Sequence, residues 1–252
     1  MAKPANAGKA VKGGSHMTYT IIGSCGRTGQ LGVGIATYSL AVGALAPAVA
    51  SNAGALTSQA FVNPELRALG LRLMSDGCPA DLVVSTLKAA DPQIEFRQIG
   101  VVDAYGRGAA FTGSSTRPWT GHKAGPGYVA LGNVLAGEVV VDRMAAAFEQ
   151  AADCSLDERL LRALEAGRDA GGQVGGKGHL PERSASLLVH GHQPLPILDL
   201  RVDLDDDAVT SMRTLHQEFM PYLAFHHLRH ISPEKAPPQE VFVAELNAKH
   251  RR

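Results

Sequence analysis

Blocks of strand-like and helix-like sequence alternate along this chain, and their order restricts the fold more than any single motif. The first block is strand-like: Thr18–Ile22 is rich in β-branched and aromatic residues, Gly26–Gly29 can turn, and Gly32–Ser39 can return. A third extended stretch covers Ala53–Ala60. This block predicts a hairpin followed by one further strand.

A pair of helices and a second strand block are predicted next. Apolar residues recur at helical spacing after Asn63-Pro64 and again after Pro79, and Asp91-Pro92 ends the pair. The second block then contains extended segments at Arg97–Asp103, Gly108–Thr112 and Tyr128–Leu131, with a Gly- and Pro-rich loop before the last of them.

The last third of the chain predicts two more helices and two more strands. Apolar residues over Val141–Ala151 lie at helical spacing, and Ser155–Glu158 has the S-x-x-E capping pattern of a helix start. Ala170–Glu182 is dominated by glycine and predicts a flexible loop. Ala185–Val189 is apolar, and Leu198–Asp203 alternates apolar and charged residues, which indicates strands.

Antiparallel strand blocks interrupted by helix pairs favour an α+β fold in which helix layers cover two stacked sheets. The domain itself is expected over residues 18–205. Residues 206–252 form a tail that begins helix-like and becomes Pro-rich at Pro233–Pro238. Either an oligomer contact or partial disorder fits this tail. We expect a homo-oligomer.

Composition excludes several classes of function. Lys and Arg number 24 against 24 Asp and Glu, and no basic stripe with interleaved aromatic residues occurs, so nucleic acid is not expected as a partner. No apolar run reaches the roughly 18 residues that span a bilayer, and the N-terminus lacks the apolar core of a secretory signal. We therefore expect a cytoplasmic protein with no membrane partner and no cofactor.

The three cysteines are an odd number, lie far apart and include no C-x-x-C pair, so they indicate neither a disulfide framework nor a thiolate metal site.

Residues 1–17 are expected to be an expression leader followed by an initiator Met. The leader is rich in Ala, Gly and Lys without periodicity, and it ends in Gly-Ser-His before Met17, as in a vector-derived tag. Thr18 is small enough for the preceding Met to be removed routinely. Thr18 is therefore expected to be the mature N-terminus.

Nine short segments of the chain, in order, resemble successive blocks of a bacterial family known only as domain of unknown function 1028. They lie at 18–22, 28–33, 41–44, 57–64, 97–103, 110–113, 125–128, 132–137 and 183–188. Together they cover roughly Thr18 to Asp203, which is far more specific than one short motif. Three departures occur: Thr37-Tyr38 stands where Ser-Arg is common, Ser114-Ser115 replaces a site that often ends in Cys, and the Gly-rich loop before Arg183 is longer.

The resemblance implies the N-terminal-nucleophile (Ntn) hydrolase fold, a four-layer αββα sandwich, and hydrolysis of a carbon–nitrogen bond. The nucleophile would be Thr18, whose own α-amine, with a pKa of about 8, can remove the hydroxyl proton. Asn133 is the preferred donor to the oxyanion, because its amide carries two N–H donors between flexible glycines. An ordinary strand residue and a turn residue are the alternative interpretations of Thr18 and Asn133.

Five further residues are candidates for binding a small-molecule substrate, each with a structural alternative. Gln59 and Asn63 follow the third strand and either line the site or form a turn. Arg183 either binds a substrate carboxylate or is a solvated charge. Trp119 and His122 either pack against a ligand or cap the core.

The sequence therefore favours an amidohydrolase that cleaves a C–N bond of a small amide, lactam or ureide through an acyl-enzyme. The main alternative is a non-catalytic binding or scaffold protein on the same fold. A metal hydrolase is disfavoured: His190-x-His192 and His226-His227-x-x-His230 offer imidazoles, but no acidic residue takes the place of the base in an HExxH arrangement. No metal site is predicted.

Overall fold

Antiparallel strands form two stacked sheets in this protein. The computed structural model describes residues 17–250, and the predicted leader at residues 1–16 lies outside them. The strands of this range are β1 (Thr18–Cys25), β2 (Gln30–Thr37), β3 (Pro47–Ala50), β4 (Gly54–Ala60), β5 (Arg97–Asp103), β6 (Gly108–Thr112), β7 (Thr120–Gly125), β8 (Tyr128–Asn133), β9 (Gln173–Gly175), β10 (Gly178–Leu180), β11 (Ser184–His190) and β12 (Pro196–Val202). Its α-helices are α1 (Val42–Leu45), α2 (Pro64–Ser75), α3 (Ala80–Ala90), α4 (Glu138–Gln150), α5 (Leu156–Asp169), α6 (Ala208–Ile231) and α7 (Gln239–His250).

The layers run helix, sheet, sheet, helix. The first sheet has the strand order β12-β11-β2-β1-β8-β7, and the second has the order β3-β4-β5-β6. Helices α4, α5 and α6 contact the first sheet, whereas α2 and α3 contact the second. Neighbouring strands in both sheets are antiparallel. This arrangement confirms the predicted α+β four-layer αββα sandwich.

Strand β1 shows how the sequence divides its side chains between layers. Successive side chains of a strand point to opposite faces. Tyr19 is fully buried in a cluster with residues of α4 and α5, whereas Ile22 packs between the two sheets. Thr18 and Thr20 lie on the same face as Ile22. The first residue of β1 is therefore directed toward the second sheet. Gly29, with φ of 66°, supplies the left-handed conformation in the turn to β2.

The structure confirms the predicted helices α2 to α5 and corrects three local predictions. The predicted loop before Tyr128 contains β7, and the predicted flexible loop at Ala170–Glu182 contains the hairpin β9–β10. Both are polar or glycine-rich because an edge strand or an isolated hairpin buries few of its side chains. Ser155 occupies the N-cap of α5, but its side chain makes no capping hydrogen bond.

Helix α6 packs on the first sheet and on α5. Ala208, Val209 and Met212 are buried in the same cluster as α4 and α5. Farther along α6, His216 Nε2 lies 2.6 Å from Asp157 Oδ2 of α5, and both side chains are buried. Packing is thus continuous across residue 206, where the sequence suggested a boundary. Within the described range, no helix is long and apolar enough to cross a membrane.

Candidate active site

A row of polar residues crosses five strands of the first sheet at the beginning of β1. Thr18 pairs with Thr37 of β2 on one side and with Asn133 of β8 on the other. Ser184 of β11 pairs with Thr37, and Thr120 of β7 pairs with Asn133. Directly opposite residues of antiparallel strands share a face. These five side chains, the polar row, therefore lie together in the space between the sheets.

Thr37 connects Thr18 to the residue before it. Thr18 Oγ1 donates a hydrogen bond to Thr37 Oγ1 over 3.3 Å, and Thr37 Oγ1 in turn donates to the carbonyl oxygen of Met17. The Ser39 N–H also donates to Thr37 Oγ1, over 3.2 Å. Thr18 and Thr37 are both buried. The hydroxyl of Thr37 thus contacts both sides of the Met17–Thr18 peptide bond.

Thr18 and Thr37 line a cavity of about 330 Å³. A volume near the lower end of ordinary ligand pockets fits a small molecule. Most of the wall is apolar, and it comes from the segment after β2 and from the end of β4. The lining residues besides the two threonines are Ser39, Leu40, Val42, Leu45, Ala46, Ala60, Phe61, Val62 and Arg97.

Arg97, the first residue of β5, brings a positive charge to this cavity. Its Nε donates to Asp91 Oδ2 over 2.9 Å, and its Nη1 donates to the Phe61 carbonyl over 2.7 Å. Burial would raise the pKa of Asp91, but hydrogen bonds from Asn63, Gln93 and Arg97 outweigh it and hold that pKa below its usual value. Asp91 is therefore a carboxylate that fixes the guanidinium in place.

Three buried amides form a hydrogen-bonded layer behind Thr18. Thr20 Oγ1 donates to Gln59 Oε1 over 2.6 Å, and Gln59 Nε2 donates to Gln98 Oε1 over 2.8 Å. Asn133 Nδ2 donates to the same Gln98 oxygen over 3.2 Å. The Gln98 Nε2 atom has acceptors on β6, β7 and β8, namely Thr112 Oγ1, Gly121 O and Gly132 O. We call Gln59, Gln98 and Asn133 the amide layer, and it joins the two sheets.

Asn133 has an unsatisfied atom beside Thr18. The residue is 1% exposed, and its Oδ1 has no hydrogen-bond partner within the described part of the chain. A buried amide oxygen without a partner costs free energy, on the order of 1–3 kcal/mol. The nitrogen of this amide is therefore held by Gln98, whereas its oxygen is free to accept a hydrogen bond.

Backbone strain is concentrated around this site. Ala41 and Ala60 adjoin or line the cavity, and Val134 directly follows Asn133. All three have positive φ, of 51°, 65° and 56° respectively. This conformation is unfavourable for residues other than glycine, most of all for β-branched valine. Such strain costs of order 1–3 kcal/mol per residue and is typical of functional sites.

The structure brings some of the predicted site residues together and separates others. Thr18, Asn133 and Gln59 are linked through the polar row and the amide layer. Asn63 caps α2, because its Oδ1 accepts from the Glu65 N–H, while its Nδ2 donates to Asp91. Asn63 therefore supports Arg97 through Asp91 and does not line the cavity.

Trp119, His122 and Arg183 lie outside the cavity beside Thr18. Trp119 and His122 line a second cleft of about 560 Å³ between β7 and α4. There His122 Nδ1 is 2.9 Å from Thr112 Oγ1, and partial burial lowers the pKa of the imidazole. Arg183 lies over the Tyr38 ring, with its Cζ 5.5 Å from the ring centroid.

His226 of the tail lies among aromatic side chains. His226 lies about 6 Å, centroid to centroid, from each of the rings of Phe219, Tyr222 and Phe225. Among the described residues, no group of three or more His, Cys, Asp or Glu side chains has a metal-binding arrangement.

Thr37, Arg97 and Gln98 are site residues that sequence reasoning missed. The only signal for Thr37 in the sequence is that Thr37-Tyr38 stands where Ser-Arg is common in the family. Arg97 and Gln98 begin the segment at 97–103 that resembles a family block, but nothing in that segment shows that they lie near Thr18. Their position depends on which strands pair, which no short-range pattern reveals.

Comparison with known proteins gives a family and two structural matches. The model described as "Family of unknown function (DUF1028)" matches residues 18–212. The crystal structure of protein SPO2555 from Silicibacter pomeroyi, also described as DUF1028, matches with 30% identity and a TM-score of 0.73, over 81% of this chain and 89% of that chain. Anbu (ancestral beta-subunit) from Yersinia bercovieri matches with 12% identity and a TM-score of 0.40, over 79% of this chain and 93% of that chain. No curated protein matches this chain.

Proposed function

From the premise that this chain belongs to the DUF1028 family, we propose that it hydrolyses a carbon–nitrogen bond of a small amide with Thr18 as an N-terminal nucleophile. The observation that carries the proposal is the position of Thr18. Thr18 lines a mainly apolar cavity, and its hydroxyl is hydrogen-bonded to Thr37 in the strand pairing that also places Asn133 next to it. A reactive hydroxyl at the wall of a pocket is the arrangement that acyl transfer requires.

The proposed reaction has two steps. The free α-amine of Thr18 accepts the proton of Oγ1, and the oxygen attacks the substrate carbonyl carbon. The C–N bond then breaks, and the leaving amine takes the proton, which leaves an ester on Thr18. Water, deprotonated by the same amine, hydrolyses the ester and restores the hydroxyl. One residue thus supplies both the nucleophile and the base.

The oxyanion of each step needs hydrogen-bond donors. Asn133 Nδ2 retains one hydrogen beyond the one that it donates to Gln98. Thr37 is a second donor in this proposal, because loss of Met17 removes the carbonyl that its hydroxyl now contacts. Each such donor contributes about 3–4 kcal/mol to transition-state stabilisation.

Processing before Thr18 is expected to control activity. Protein that starts at Thr18 should hydrolyse members of an amide library, whereas protein with residues 1–17 intact should be slower by about 10²–10⁴-fold, because an amine locked in a peptide bond is no base. Mass spectrometry of the N-terminus, combined with turnover measured on the same preparations, tests this. Equal turnover with an intact leader would contradict the mechanism. Absence of turnover by protein that starts at Thr18 would favour the non-catalytic binding protein.

Thr37→Val is expected to lower kcat by about 10²-fold, as loss of one oxyanion donor does. Valine has nearly the same shape, so KM and the folded structure should change little. Steady-state kinetics and a melting curve measure the two effects. Thr57→Val is the matched control, because Thr57 is also a fully buried threonine but does not line the cavity. An unchanged kcat in Thr37→Val would exclude Thr37 from the reaction.

A further inference from the structure

Arg97 carries the only charge among the described residues that line the cavity. Its side chain is 17% exposed, and the surrounding wall is apolar over Leu40, Val42, Leu45 and Val62. A cation in such surroundings is costly unless its donors are satisfied. Asp91 pairs with this cation but leaves one guanidinium nitrogen without an acceptor within the described range, so the cavity favours a ligand that has both an apolar part and an anionic acceptor.

The guanidinium is held so that one of its three nitrogens stays open. Its Nε is bound to Asp91 and its Nη1 to the Phe61 carbonyl. Its Nη2 has no hydrogen-bond acceptor in the part of the chain that the structure describes. Asp91 is itself fixed by the Asn63 amide over 2.9 Å and by the Gln93 N–H over 2.8 Å. The open Nη2 is thus preorganised, which lowers the entropic cost of binding an anion.

We infer that the cavity binds an N-acylated apolar amino acid, with its carboxylate on Arg97 Nη2 and its aliphatic side chain against Val42, Leu45 and Val62. This inference rests on the proposed function, because it places the scissile amide at Thr18. Hydrolysis would release the amino acid and the acyl group as a second carboxylic acid. Neutral lactams and ureides fit less well, since they leave Arg97 Nη2 without an anion. A carboxylate accepts a charge-assisted hydrogen bond from this nitrogen, which is stronger than a bond to a neutral acceptor.

Binding of two matched probes tests the inference without catalysis. N-acetyl-L-leucine and N-acetyl-L-leucinamide differ in the charge of one group, and calorimetry on Thr18→Ala protein, with the leader present and after its removal, measures both affinities. The acid is expected to bind at least about tenfold more tightly than the amide, because hydrogen bonds to charged groups are the stronger ones. Arg97→Gln should abolish this preference. Equal affinities, or a preference that survives in Arg97→Gln, would overturn the inference.

Arg107→Gln is the matched control. Like Arg97, Arg107 pairs through its Nε with a buried aspartate, in this case Asp103 at 2.6 Å. Arg107 does not line the cavity. The tenfold preference should persist in this variant. Because Arg97→Gln leaves Asp91 without its cation, the double variant Arg97→Gln/Asp91→Asn provides a second test if the single variant does not fold.

The result separates the two proposals. Preference for the acid in Thr18→Ala protein, without any hydrolysis by protein that starts at Thr18, would support the ligand class and reject the reaction. Hydrolysis of the acid and the amide at equal kcat/KM would support the reaction and reject the ligand class.

Discussion

Thr18→Ala is expected to lower kcat by about 10⁴–10⁶-fold, the loss that follows removal of a catalytic nucleophile. The folded state should persist, because the side chain of Thr18 makes one hydrogen bond of 3.3 Å and its replacement leaves only a small space at the cavity wall. Turnover of an amide substrate by protein that starts at residue 18 measures the first effect. The melting temperature of the same variant measures the second.

Two variants make this test specific. Thr18→Ser keeps the hydroxyl and the α-amine, so measurable hydrolysis should remain. Thr57→Val removes a different buried hydroxyl and should leave kcat unchanged. Undiminished turnover in Thr18→Ala would reject the nucleophile and, with it, the proposed mechanism.

Asp157→Ala is expected to destabilise the fold by about 3–5 kcal/mol, because it leaves the imidazole of His216 buried without its partner. The two groups lie 2.6 Å apart, and their side chains are 8% and 7% exposed. For a domain of this size the loss corresponds to a fall in melting temperature of about 6–20 °C. Thermal and urea unfolding measure it. Asp157→Leu/His216→Leu, which removes both polar groups, should be much less destabilised.

The same pair makes the free energy of unfolding depend on pH in the acid range. Burial would raise the pKa of Asp157, but hydrogen bonds from His216 and Ser155 outweigh it and hold that pKa below its usual value. A carboxyl whose pKa is lowered by folding stabilises the protein above its unfolded pKa, about 3.9, and loses that contribution as the pH falls through the folded pKa. Asp157→Asn should therefore show a weaker loss of stability below about pH 4.

Arg162→Ala is the matched control for this pair. Arg162 bonds to Glu158 one turn along α5 at 2.6 Å, but its side chain is 50% exposed. Exposed pairs contribute about 0–1 kcal/mol, so this variant should stay near the wild type. Equal destabilisation by Arg162→Ala and Asp157→Ala would show that burial of the pair is not the cause.

Periodicity predicted the parts of the fold that bury a continuous apolar face. Helices α2 to α5 and strands β1, β2, β5 and β11 each present such a face to a core, and each was predicted close to its observed bounds. Strand β7 and the hairpin β9–β10 were missed, because their side chains are largely exposed. Their stability comes from backbone pairing with a neighbour, which composition does not record.

The candidate site was predictable only in part. Thr18 was found because it follows Met17 and opens a sequence block that resembles the family. Thr37 and Asn133 flank it only because β1 lies between β2 and β8, a pairing that joins residues 115 positions apart in the case of Asn133. Arg97 comes from the other sheet. The site is a product of strand order, and a local pattern carries no information about strand order.

The amide layer also determines how the two sheets lie on one another. Apolar side chains attract without direction, so a purely aliphatic interface would tolerate a sliding movement of one sheet over the other. Gln59 and Gln98 are directional and fully buried, and a slide of one residue pair would break the bonds to Thr20, Asn133 and Gly132. The three amides thus fix the position of one sheet relative to the other. They fix the position of β1, which carries Thr18, relative to β5, which carries Arg97. The distance between these two residues should therefore persist when the aliphatic walls of the cavity are altered.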